Sequence, residues 1–138
     1  MTDTTADLAP PPPPSPLPPP PGSAATAPLY FTPQWQAQAN VRAAFSLRTG
    51  GVSTGRYTSL NLATHVGDDP EAVTHNRRLL RVALDLPTGP VWLNQTHGTH
   101  VINLDHDDVV TPADAALTRQ RGYVCAVQVA DCLPVLLS

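Results

Sequence analysis

Two histidines, His97 and His100, flank a Gly-Thr pair, and Cys132 follows Asp131 thirty-five positions after the first of them. Imidazole and thiolate are donors that zinc and copper accept, and neutral histidine is also a common acid–base group. Gly98 beside His97 allows a sharp turn and leaves room next to the ring. The plainer reading is a turn with two hydrogen-bonded histidines and a small buried thiol. Cys125, inside the apolar run Val124-Cys-Ala-Val-Gln-Val129, reads as such a buried hydrophobe. Arg48 leads into Gly50-Gly51, where a guanidinium fork and open backbone N–H groups suit phosphate. The spacing fits neither a P-loop nor a dinucleotide fingerprint, so a plain arginine before a turn stays open. His65 lies just ahead of a helix start, which can attract an anion. Asp105, Asp107 and Asp108 with His106 lack the EF-hand spacing and its closing Glu, and read as a solvated turn.

These residues need elements to position them. Val41-Arg-Ala-Ala-Phe-Ser-Leu47 alternates as a strand with Val41, Ala43, Phe45 and Leu47 on one face. Glycines 50, 51 and 55 make residues 48–57 a loop, followed by a short extended piece at Ser59-Leu-Asn-Leu62. Asp69-Pro70-Glu71 is a helix start: a cap, a proline suited to the first position, and an acid at the positive end. Val73, Leu80 and Leu84 repeat at helical spacing, and Pro87 and Gly89 end the helix by about Leu86. Arg77, Arg78 and Arg81 read as its solvated face. Val91-Trp-Leu93 and Val101-Ile-Asn-Leu104 read as strands around the histidine turn. Val124–Val129 reads as a buried strand, and Leu133-Pro-Val-Leu-Leu137 starts another. The order predicts an α+β or mixed α/β domain over residues 29–138 with a largely central sheet. An apolar strand at the end leaves an aggregation-prone edge, so the sequence reads as the front part of a longer domain, truncated before its end.

Composition narrows the class. Ten of the 17 prolines lie between Pro10 and Pro21, so residues 1–28 read as a disordered Pro-rich arm. Such an arm suits an aromatic groove, and its partner is unknown; an extension without a partner is the plainer reading. Beyond it, 8 arginines meet 9 acidic residues and there is no lysine, which argues against a nucleic-acid partner. No run approaches the roughly 20 apolar residues of a membrane span. The acidic N-terminus is the opposite of a secretory signal. Two cysteines are too few for a disulfide scaffold, so a cytoplasmic, reducing location is expected, and a Cys125–Cys132 disulfide has little support.

Seven pieces occur in order: Phe45-Ser-Leu-Arg-Thr-Gly-Gly-Val-Ser53, Ser59-Leu-Asn-Leu62, His65-Val-Gly-Asp-Asp-Pro70, Asn76-Arg77, Trp92-Leu-Asn-Gln-Thr-His-Gly98, Ala113-Asp-Ala115, and Val129-Ala-Asp-Cys-Leu-Pro-Val-Leu-Leu137. Together they resemble the YfiH-type laccase-domain family, also called multicopper polyphenol oxidase or purine nucleoside phosphorylase. The resemblance implies an α+β fold, mixed β-sheets packed with helices, and a mononuclear zinc enzyme (copper in older descriptions). The implied reactions are phosphorolysis of adenosine, inosine, guanosine and methylthioadenosine, and deamination of adenosine. It implies metal ligands at His97, from Gln-x-His-Gly, and at Cys132, from Ala-Asp-Cys. The family's third ligand, in a His-Ala-Gly-Trp-Arg-Gly motif, has no counterpart in this sequence. The resemblance makes Arg48 the candidate for neutralising phosphate, and Asn61 and His65 candidates for lining the same catalytic pocket. Copper-dependent phenol oxidation, peptidoglycan editing and a non-catalytic fragment are the alternative readings.

Overall fold

The computed structural model describes residues 28–107 and 112–137. The arm expected over residues 1–28 lies outside them except for Pro28, whose carbonyl accepts from Thr49 Oγ1 at 2.6 Å.

Local chemistry sets the one α-helix among the described residues, α1, Pro70–Ala83. The Asp69 carboxylate accepts from Glu71 N at 3.0 Å, satisfying a free N–H, and Pro70 needs none. The helix stops slightly before the expected Leu86, because Asp85 turns left-handed with φ 49°, a conformation Asp tolerates. Its inward stripe is Val73, Asn76 and Leu80.

The strands are shorter than expected, and they form three two-stranded sheets in place of one central sheet. β1 (Tyr30–Phe31) pairs antiparallel with β2 (Phe45–Ser46), and the Phe31 and Phe45 rings stack 5.1 Å apart. The strand expected from Val41 to Leu47 is confined to Phe45–Ser46. Its partner is cut short by Pro33, which cannot extend a ladder. β3 (Val91–Trp92) pairs in parallel with β6 (Cys125–Ala126). β4 (Val101–Asn103) pairs in parallel with β5 (Ala115–Leu117), and β5 packs beside β6. The alanine-rich β5 carries no alternating signature, so the sequence did not announce it. Leu93, Ile102, Leu104 and Ala113 form a buried cluster here, with Val91, Ala116 and Val127 packed on it.

The expected strand from Val124 to Val129 is a ladder only at Cys125–Ala126. Beyond it, the Gln95 side chain takes over the backbone of Gln128. Cys125 is exposed, not buried. Leu133–Leu137 forms no strand: with no partner among the described residues, Leu133 and Leu137 stand 86% and 90% exposed. Arg78 and Arg81 are exposed on the expected solvated face, whereas Arg77 is half-buried. Its guanidinium lies 4.2 Å from the Trp92 ring centroid and Nε donates to the Leu62 carbonyl at 2.8 Å. It sits one turn after Val73, on the edge of the buried stripe. Burial lowers its pKa from the ordinary arginine value. Among the described residues, no helix is long and apolar enough to cross a membrane.

Candidate functional site

The glycine loop and the start of α1 make one polar assembly. Gly51 has no room for a side chain: a Cβ there would stand 2.6 Å from both Asn76 Oδ1 and Leu60 Cα, and closer still to the Ser59 carbonyl. That close approach lets Asn76, fully buried, act as the hub. Its Oδ1 accepts from Val52 N at 2.8 Å. Its Nδ2 donates to Ser53 Oγ, the Asn61 carbonyl and the Ser59 carbonyl at 2.8, 2.9 and 3.2 Å. In the sequence Asn76 stands out only within the Asn76-Arg77 pair, because a polar residue on an apolar stripe carries no local signal of what it binds.

Arg48 closes the same loop. Its Nε donates to the Thr58 carbonyl at 2.5 Å and its Nη2 to the Arg56 carbonyl at 3.1 Å. A guanidinium has five N–H groups, so three remain on this exposed side chain. Asn61 faces inward. Its Nδ2 donates to Asp68 Oδ2 at 2.9 Å and to the Ala63 carbonyl at 3.2 Å, and its Oδ1 accepts from Ala63 N at 3.1 Å. Asp68 Oδ2 also accepts from Ser53 Oγ at 2.7 Å. The bonds from Asn61 and Ser53 hold the Asp68 carboxyl below the ordinary aspartate range. His65 is exposed on the loop between Asn61 and Asp68.

His97 belongs to a second assembly. It has φ 58°, in the left-handed region where a residue with a side chain is uncommon. The Asp114 carboxylate accepts three successive backbone donors: Oδ1 from Thr96 N at 2.8 Å and His97 N at 2.7 Å, and Oδ2 from Gly98 N at 2.9 Å. Thr96 Oγ1 adds a fourth bond to Oδ2 at 3.1 Å. Desolvation pushes the Asp114 carboxyl up, but the donors at Gly98, Thr96 and His97 outweigh it, and the pKa falls below the ordinary value. Asp114 has no evident role in the sequence: its partners lie 16 to 18 residues back, and a carboxylate between two alanines is the sole signal.

Cys132 is an exposed free thiol, as is Cys125. The parallel β3–β6 register sets Val91 against Cys125 and Trp92 against Ala126. Both segments leave the pair at the same end. There the Gln95 amide bonds both ways with Gln128, Nε2 to its carbonyl at 3.1 Å and Oε1 from its N–H at 2.8 Å. His97 lies two residues beyond the first glutamine and Cys132 four beyond the second. His100 is also exposed. Among the described residues there is no group of three or more His, Cys, Asp or Glu placed to hold a metal. An imidazole and a thiol, both exposed, are the right donor kinds for zinc, and they make an incomplete set on their own. Arg77 links the two assemblies, since it bonds Leu62 beside Asn61 and stacks on Trp92 of β3. Asp105 and Asp107 sit in an exposed turn, as expected, and cap polar groups around it: Asp105 accepts from Thr118 Oγ1 at 2.5 Å and Arg119 N at 3.0 Å, and Asp107 from Asn103 N at 2.6 Å. Asp108 lies outside the described residues.

Residues 42–138 match the family described as multi-copper polyphenol oxidoreductase laccase. The chain belongs to that family. This laccase-domain chain is 49% identical over 105 residues to the purine nucleoside phosphorylase YfiH of Escherichia coli, covering 75% of the chain and 43% of the relative. A purine nucleoside phosphorylase of Pseudomonas aeruginosa is 46% identical over 107 residues, covering 78% and 43%. Among solved structures, a Neisseria meningitidis protein superposes with TM-score 0.66 at 44% identity, covering 75% of this chain and 43% of that one. YlmD from Geobacillus stearothermophilus superposes with TM-score 0.54 at 28% identity, covering 68% and 39%. The laccase-domain chain thus spans less than half the length of these relatives, and it shares their α+β fold.

Proposed function

We propose that the laccase-domain chain is part of a zinc-dependent purine nucleoside phosphorylase. The observation that carries this reading is the 49% identity over 105 residues to a protein named for that activity. In this reading His97 and Cys132 are two of the metal's ligands. Zinc held there would supply a Lewis acid beside the reacting phosphate and ribose. Phosphate oxygen attacks ribose C1′, the bond from C1′ to the base nitrogen breaks, and free base and ribose 1-phosphate result. Arg48 binds phosphate through the three N–H groups not turned to Thr58 and Arg56, and its charge offsets that of the incoming anion. His65 lines the pocket from the exposed loop. Asn61 shapes that loop, because both atoms of its amide are already bonded within it.

Release of free base from adenosine, inosine, guanosine and methylthioadenosine, with and without phosphate, tests the reading. Phosphate-dependent release that disappears in His97→Ala and Cys132→Ser is expected. Release that needs no phosphate, or that survives both substitutions, overturns it. Inosine formed from adenosine in the same assay reports the deaminase activity. The family description itself supports a second reading, copper-dependent phenol oxidation. Oxidation of a phenolic dye that depends on added copper, without phosphorolysis, would establish that alternative.

A further inference from the structure

We infer that Asp114 is a positioning residue for the metal site: its carboxylate, gripped by the Thr96, His97 and Gly98 amides, sets the backbone that presents the His97 imidazole. The inference rests on reading His97 as a ligand. Three successive N–H groups cannot reach one carboxylate in a strand, where they alternate; they do so in this turn, in which His97 adopts φ 58°. Such a backbone concavity binds an anion, and the anion is the protein's own carboxylate.

Asp114 comes from a firm support. Its neighbour Ala113 is fully buried in the core cluster, its own N–H donates to the His100 carbonyl at 3.0 Å, and β5 begins at the next residue. The bonded oxygens also limit Gly98, where a Cβ would stand 3.3 Å from Asp114 Oδ2. The carboxylate therefore joins the histidine turn to the β4–β5 pair. Without it the turn is tied only at its flanks, by Ala113 N on the Asn94 carbonyl at 3.1 Å and Asp114 N on the His100 carbonyl at 3.0 Å, so His97 can return to a negative φ and the imidazole would swing with its backbone.

Cobalt(II) titration of the full chain, followed by absorption, and amide NMR of Thr96, His97 and Gly98 test this. In the wild type the three amides should be shifted downfield and slow to exchange. Asp114→Asn keeps one acceptor oxygen and turns an amide nitrogen toward the remaining donors, so it should abolish the Gly98 shift, reduce those of Thr96 and His97, weaken cobalt binding by about 10-fold, and alter the cobalt spectrum of the folded protein. Unchanged amides, or a folded variant with wild-type cobalt affinity and spectrum, overturns the inference; a residue serving stability alone would move the unfolding midpoint and leave that spectrum intact. If Asp114→Asn does not fold, Thr96→Val, which removes one donor to Oδ2, replaces it. A smaller loss of cobalt affinity is then expected, and no loss is the overturning result. His97→Ala and Cys132→Ser separate the two ideas. Wild-type cobalt binding in both defeats the ligand reading and the inference with it, whereas lost binding in both with unchanged amides in Asp114→Asn defeats the inference alone.

Discussion

Replacing Asn76 with alanine removes one acceptor and two N–H donors, which between them reach four partners, from a side chain with no solvent exposure. Their partners fare differently. The Ser59 carbonyl keeps Ser53 N at 2.9 Å, and Ser53 Oγ keeps Asp68 at 2.7 Å. The Val52 N–H and the Asn61 carbonyl lose the amide as partner. An unsatisfied buried polar group costs about 1–3 kcal/mol. Both bonds are part-buried and Val52 itself is 45% exposed, so water offsets part of that cost, and with the vacated volume the loss is about 2–3 kcal/mol, against a total of roughly 5–15 kcal/mol for a native protein. Urea unfolding followed by tryptophan fluorescence reads the difference as a lower midpoint with unchanged slope. Asn76→Asp controls for volume. It keeps an acceptor for Val52 but turns an oxygen toward Ser53 Oγ and two carbonyls, so at neutral pH it should destabilise at least as much. A loss below about 1 kcal/mol in both variants would refute the assignment of Asn76 as the hub, because it would lie within the range of an ordinary surface substitution.

Gly51→Ala should destabilise the chain by more than the roughly 1–3 kcal/mol typical of overpacking, since the obstacles are backbone atoms of Ser59 and Leu60; a wild-type unfolding midpoint would contradict this. The carboxyls of Asp68 and Asp105 lie below their ordinary value of 3.8, for Asp68 through Asn61 and Ser53, for Asp105 through Thr118 and the Arg119 amide. Their stabilisation is therefore full above that value and is lost as pH falls through the depressed one. Acid unfolding should show this loss below about pH 4, with a shallower acid limb in Asp105→Asn, and an identical limb would count against it. Arg77→Met should lose about 1–3 kcal/mol, from the charged contact with Trp92 and the bond to Leu62. Trp92 emission should shift with it; an unaltered spectrum would show that the stacking is not populated.

What could be read from the residues alone followed the range of the interactions. The start of α1 was legible because Asp69, Pro70 and Glu71 act within one turn. The strands were overextended because alternation reports only the side-chain pattern. Pairing was ended by distant features: Pro33 beyond β1, and the Gln95 amide on the backbone of Gln128. The family was legible because seven pieces kept their order, and the match over residues 42–138 bears it out. The individual roles were less visible. Asn61 looks like a pocket residue until its amide is seen bonded to Ala63 and Asp68. Asn76 and Asp114 act across 15 to 24 and 16 to 18 residues respectively, where no local pattern reaches.

X-ray absorption at the zinc edge addresses the pairing of His97 with Cys132 most directly, because the metal's neighbours are read without reference to activity. The account predicts one sulfur at about 2.3 Å and nitrogen or oxygen at about 2.0–2.1 Å, with the sulfur absent in Cys132→Ser. A shell of nitrogen and oxygen alone in the wild type, or sulfur retained after that substitution, would contradict it.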